Sequence, residues 1–171
     1  SFVTPPLINE ESRTFSRANV VGETVDLVPN AAYDSQAVID KEQMIVYGFE
    51  IGMTTTAELK QKVIPTGAGT IKVVYTEYGL GTGSLINLVV GNDIVKTYTV
   101  VIFGDINGDA VIDTNDSGTV DAVANGVQDF EADATYFAAD INGDGVTDPM
   151  DSSLEDNVAN GISDIDQVNP Y

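Results

Sequence analysis

The sequence has no cysteine, no histidine and no tryptophan. Without cysteine there are no disulfides, thiolate metal sites or cysteine nucleophiles. Without histidine, zinc loses its usual nitrogen ligand, and neither a Ser-His-Asp nor a Cys-His arrangement can be assembled within the chain. Basic residues are scarce as well: 7 Lys and Arg against 27 Asp and Glu leave a formal net charge of -20. That balance argues against nucleic acid and anionic membranes as partners, because binding phosphates needs a basic footprint. No apolar run reaches the roughly 18 residues of a membrane span, and the first residues lack the basic and apolar regions of a signal peptide. The expectation is therefore a soluble, mature chain without direct membrane insertion.

The few basic residues are unevenly spread. Arg13, Arg17, Lys41, Lys60, Lys62, Lys72 and Lys96 all precede Val100, and everything beyond is acidic without a cationic partner in sequence. The later acids do not form a solvated block of the kind that stays disordered. They recur at fixed intervals among Val, Ile, Phe and Tyr, a pattern in which a metal cation replaces the missing Lys and Arg. A chain of 171 residues with 43% hydrophobic composition can bury one medium core or two small ones. The charge boundary favours two units, 1–102 and 103–171.

The second unit contains an internal repeat. Residues 105–127 read DINGDAVIDTNDSGTVDAVANGV and residues 140–162 read DINGDGVTDPMDSSLEDNVANGI, aligned without a gap. Asp105, Asn107, Asp109, Asp113 and Asp116 occupy positions 1, 3, 5, 9 and 12 of an EF-hand-type calcium loop, and Asp140, Asn142, Asp144, Asp148 and Asp151 repeat the set. Calcium takes six to eight oxygens, and alternate residues of a tight loop can turn theirs toward one point. Position 7 adds a backbone carbonyl, from Val111 and from Val146. Magnesium fits less well, since it prefers a smaller octahedral shell that keeps several waters. The implied cofactor is two Ca²⁺ ions. A single DxNGD segment also reads as a solvated Asx turn, but two copies with matching helices weigh against that. So many acids also raise the possibility of a catalytic carboxylate pair, yet nothing in the sequence supplies an apolar pocket to raise one pKa.

Each loop leads into a short helix. Asp148 suits the N-cap, Pro149 the first helical position and Asp151 the first turn. Val120, Val123 and Val127, and in the second copy Leu154, Val158 and Ile162, give each helix an apolar stripe. Asn125-Gly126 and Asn160-Gly161 end them. Between the copies, residues 129–139 contain Phe130, Tyr136 and Phe137 and predict a connecting helix.

These duplicated DxNxDxxxD loops with following helices resemble the dockerins, over residues 103–171. The resemblance implies a small all-α module that binds a cohesin, a β-sandwich receptor on a scaffoldin or cell-surface protein, and so helps assemble an extracellular polysaccharide-degrading complex such as a cellulosome. It implies secretion by a bacterium and no enzymatic activity. Carried over position by position, the cohesin face comprises Thr114, Asn115, Asp121, Ala122 and Gly126 in the first copy, and Pro149, Met150, Asp156, Asn157 and Gly161 in the second. Two departures stand out. Ala110 occupies loop position 6, where the turn favours a left-handed residue and hence Gly, at a cost of about 1 kcal/mol. Thr114-Asn115 and Pro149-Met150 are chemically unlike, so the two faces present different contacts.

Before Val100 the pattern is extended. Residues 23–28, 44–49, 70–76, 85–90 and 94–103 read as strands, Gly91-Asn92 as a two-residue hairpin turn, and Thr55 to Glu58 as a capping box ahead of one short helix. The expected architecture is an Ig-like antiparallel β-sandwich joined without a flexible linker to the all-α module. A β-domain in this place resembles the X-modules that accompany dockerins and stabilise them. The alternative is a carbohydrate-binding module fused to a dockerin. Sugar platforms usually expose aromatics, however, whereas Tyr47, Tyr75 and Tyr98 fall inside strands.

Overall fold

The computed structural model describes residues 25–170. Glu23 and Thr24, the start of the first expected strand, lie outside the described residues. β1 (Leu27–Pro29) is followed by a 3-10 turn, β2 (Val38–Asp40), β3 (Ile45–Tyr47), α1 (Thr56–Lys62), β4 (Val63–Pro65), β5 (Thr70–Val74), β6 (Leu85–Val90) and β7 (Asp93–Val100). Then come α2 (Thr114–Ala124), α3 (Asp133–Ala139) and α4 (Pro149–Ala159). β1 and β4 form a two-stranded antiparallel ribbon, and the other five strands form one sheet in the order β2-β3-β7-β6-β5.

Local chemistry explains most of these elements. Val90 pairs with Asp93 across Gly91-Asn92, and Gly91 has φ 62°, as a two-residue hairpin requires. The Thr55 hydroxyl accepts the Glu58 amide at the start of α1, while the Glu58 carboxylate accepts the Thr54 amide instead of closing a box on Thr55. β2 and β4 escape sequence reading because each is three residues long and too short to display alternation. The sheet and ribbon enclose a core of Val25, Leu27, Val46, Phe49, Leu59, Ile86, Leu88, Tyr98 and Val100. Tyr98 is fully buried, and its hydroxyl donates to Asp26 at 2.6 Å. Burial alone would raise the Asp26 carboxyl, but hydrogen bonds from Tyr98, the Leu27 amide, Lys41 and Lys96 outweigh it and hold the group at about 2.

The architecture corrects the expected fold class. β3 and β7 run parallel, Ile45 opposite Thr99 and Val46 opposite Val100, so the five-stranded sheet is mixed and does not make an Ig-like antiparallel sandwich. Nor do the helices form a separate all-α body. Ile45, Val101 and Phe103 from the sheet side share one apolar cluster with Ile106, Val120, Ala134, Ala138 and Ala139. The chain is a mixed α/β structure with four α-helices among the described residues. The physical reason lies in β7, whose continuation through Val101, Ile102 and Phe103 is fully or almost fully buried and carries the sheet's apolar surface on into the helices.

A second correction concerns the helix stripes. Val127 and Ile162 are 76% and 73% exposed. Gly126 and Gly161 each adopt φ 73°, and the amides of Val127 and Ile162 bond back to Ala122 and Asn157. This left-handed cap turns the chain away from the axis, so the residue after it leaves the buried face.

Candidate metal centre

The two loops are built by nearly the same hydrogen bonds. Asp105 Oδ1 accepts the Gly108 amide at 2.9 Å, and its Oδ2 accepts the Ala110 amide at 3.2 Å. Asp140 accepts the amides of Asp144 at 3.1 Å and Gly145 at 2.9 Å. Asn107 and Asn142 accept the amides of Asp109 and Asp144, which in turn accept those of Val111 and Val146. Asp116 gathers the amides of Ile106, Asn107 and Asp113, and Asp151 those of Ile141, Asn142 and Asp148. Asp113 and Asp148 cap α2 and α4 through complete capping boxes, with Asp116 and Asp151 as the reciprocal partners. Position 12 thus serves the loop and the helix at once. Val111 and Val146, the expected carbonyl donors, have exposed side chains.

This arrangement concentrates negative charge on one point. One carboxylate oxygen from each of Asp140, Asp144 and Asp151 lies within 4.8 Å of the others. Asp105, Asp116 and Asp151 are fully buried. Burial is the largest cause raising the Asp105 carboxyl to about 6, and the charges of Asp116 and Asp109 add to it against amides of Thr82 and Ala110. Asp116 and Asp151 are also raised, first by burial, against three amides each. Glu155 is fully buried with no hydrogen-bond partner on either oxygen, and burial followed by the charges of Asp116, Asp105 and Asp151 raises it to about 9. All-oxygen donor sets of this charge, with no Lys or Arg beyond Lys96, fit a hard divalent cation. No family model, no curated protein and no solved structure matches this chain. The chemistry of the site therefore rests on its own geometry. The expectation that no apolar pocket is supplied to raise an acid is corrected at Glu155, whose Oε2 and the methyl ends of Ile112 and Ile165 all lie within 3.3 Å of one point, where a Cβ on Gly104 would stand.

The expected cohesin-contact residues lie mostly at the surface. Thr114, Asn115, Asp121, Gly126, Pro149, Asp156, Asn157 and Gly161 are exposed, Ala122 is half-buried, and Met150 is 61% exposed. Asp121 and Asp156 also have structural partners that sequence reading missed. The Ser117 hydroxyl bonds to Asp156 at 3.3 Å and the Ser152 hydroxyl bonds to Asp121 at 3.3 Å. Each of the four residues has its counterpart 35 positions away, so the two bonds are one contact repeated by an internal two-fold relation.

Four further residues were not legible as site residues. The Thr82 amide donates to Asp105 Oδ2 at 3.0 Å, while its hydroxyl exchanges two hydrogen bonds with the backbone of Ile102. Beside it, a Cβ on Gly81 would lie 2.5 Å from the Gly108 carbonyl oxygen, so only glycine permits that approach of the sheet loop to the Asp105 loop. Gln167 pairs with both backbone groups of Phe103, at 2.8 and 2.9 Å. Glu155, described above, is the fourth. All act across 23 to 64 residues of sequence or between helices, where motif spacing carries no signal.

Proposed function

We propose that this chain is a non-catalytic, calcium-dependent docking module of the dockerin type, which binds a cohesin on a scaffoldin or cell-surface protein and so helps assemble an extracellular polysaccharide-degrading complex. The observation that carries the reading is the duplicated loop–helix unit, in which matched capping boxes and the reciprocal Ser117–Asp156 and Ser152–Asp121 bonds relate the two copies. Asp105, Asn107, Asp109, Asp113 and Asp116, with the Val111 carbonyl, would hold one Ca²⁺. Asp140, Asn142, Asp144, Asp148 and Asp151, with the Val146 carbonyl, would hold the other. The ions would supply the positive charge that the second half lacks, fixing both helix starts and hence the exposed face that meets the partner.

The β half would support the docking half as an X-module does, and the contacts of Thr82 and Gly81 with the first loop favour that role. The three tyrosines expected in strands do not favour a sugar platform: Tyr98 is buried on Asp26, Tyr75, just past the end of β5, bonds to Thr56, and Tyr47 stacks edge-on with Phe103. Glu155, the most perturbed acid, is sealed from any substrate, which disfavours a hydrolase. The test is calorimetric titration with Ca²⁺, expected to give two ions per chain, followed by capture on a panel of cohesins with calcium and with chelator. Binding that persists in chelator, or no binding to any cohesin by the calcium-loaded chain, would overturn the reading.

A further inference from the structure

Glu155 belongs to neither loop pattern and lies off the docking face. Its counterpart 35 residues earlier is Val120, a fully buried core residue, so the second repeat places a carboxyl where the first places an aliphatic side chain. Neither Glu155 oxygen has a hydrogen-bond partner. The side chain reaches across from α4 to the first loop: Oε2 lies 3.3 Å from where a Cβ on Gly104 would stand, directly before Asp105. The methyl ends of Ile112 and Ile165 crowd the same point. A core carboxyl without donors is strongly disfavoured unless a cation is near. Among the described residues, the ion pairs of Lys41 and Lys96 go to Asp26 and that of Lys62 to Glu50, all in the β half.

We propose that Glu155 belongs to the cation centre of the first loop, lending its charge across the repeat interface so that an ion among Asp105, Asp109 and Asp116 also secures α4. The inference rests on the calcium reading of the loops. It makes the first loop the more highly charged of the two and couples its occupancy to the packing of the second repeat. No equivalent link runs the other way, because Val120 carries no charge.

The test uses the full chain with Ca²⁺ as the probe, comparing wild type, Glu155→Gln and Glu155→Val. Loop occupancy is followed by the amide signals of Gly108 and Gly143 in nuclear magnetic resonance titrations. Both substitutions are expected to weaken binding at the first loop roughly tenfold or more, leaving the second loop within about twofold. In chelator, both are expected to raise the thermal midpoint, since each removes a fully buried carboxyl that has no hydrogen-bond partner. The Val variant guards against misfolding because its twin position already holds Val. Unchanged affinity at the first loop would overturn the proposal. So would equal weakening of both loops together with a lower midpoint in chelator, which is the behaviour of an ordinary packing residue. A wild-type chain that binds no Ca²⁺ would sink the loop reading itself, a result distinguishable from either.

Discussion

Asp105 and Asp140 open their loops with the same residue and nearly the same hydrogen bonds, yet Asp105 is fully buried and takes a third amide from Thr82, whereas Asp140 is half-exposed and takes two. The first loop is wedged against the sheet, with Gly81 and Gly108 in backbone contact, while at Gly145 in the second loop an added Cβ would meet nothing within 4 Å. A metal-binding motif specifies its own hydrogen bonds but not its surroundings. The surroundings decide how far each loop depends on its ion.

Removing calcium should produce the largest effect. Self-repulsion among the carboxylates is expected to cost the helical half several kcal/mol and most of its helical signal in circular dichroism. Hydrogen exchange in chelator should strip protection from 140–151 before 105–116, because only the latter is braced by the sheet. Simultaneous loss would erase the distinction between the loops.

Single substitutions sharpen it. Asp105→Ala leaves three buried amides without an acceptor and is expected to cost about 3 kcal/mol in denaturant unfolding, against about 1 kcal/mol for Asp140→Ala. Equal costs would mean that the Thr82 contact contributes nothing. On the docking side, Met150 is a large exposed apolar group beside a rigid proline, whereas Asn115 offers polar contacts. Met150→Ala should lower cohesin affinity by roughly 1 to 3 kcal/mol and Asn115→Ala by well under 1 kcal/mol, both with calcium binding intact. The reverse order in calorimetry would assign docking to the first copy.

The smallest difference is at loop position 6. Ala110 adopts φ 65° and Gly145 φ 85°, so both are left-handed, as the turn requires. Gly145→Ala should cost about 1 kcal/mol by thermal unfolding. Ala110→Gly should change stability by less than about 0.5 kcal/mol, since the strain it relieves is offset by loss of a methyl that is only 6% exposed. A clear gain from Ala110→Gly would mean that strain alone governs the position, as the sequence by itself implies.

The loops, their caps and the Asn-Gly ends were legible because each position is fixed by local chemistry: a side-chain oxygen on every second residue at the start of the loop, an acid at N3 and a left-handed residue after the helix. The hairpin at Gly91-Asn92 was legible for the same reason. What sequence did not carry was long-range. The parallel pairing of β3 with β7 joins segments more than 50 residues apart, and the shared cluster around Phe103 runs through the point where the charge pattern changes. Glu155 escaped because its neighbour Leu154 satisfies the helical period equally well, and only the packed partner helix decides which of the two turns inward.

Gln167 closes a loop of the chain on itself at Phe103. Tension that enters through the sheet and leaves beyond Val168 would therefore meet that side-chain clamp first. The stretch between, with both cation loops and all three of its helices, would stay slack until the clamp sheared. Under load the module would yield at one amide side chain before any metal cage was pulled open.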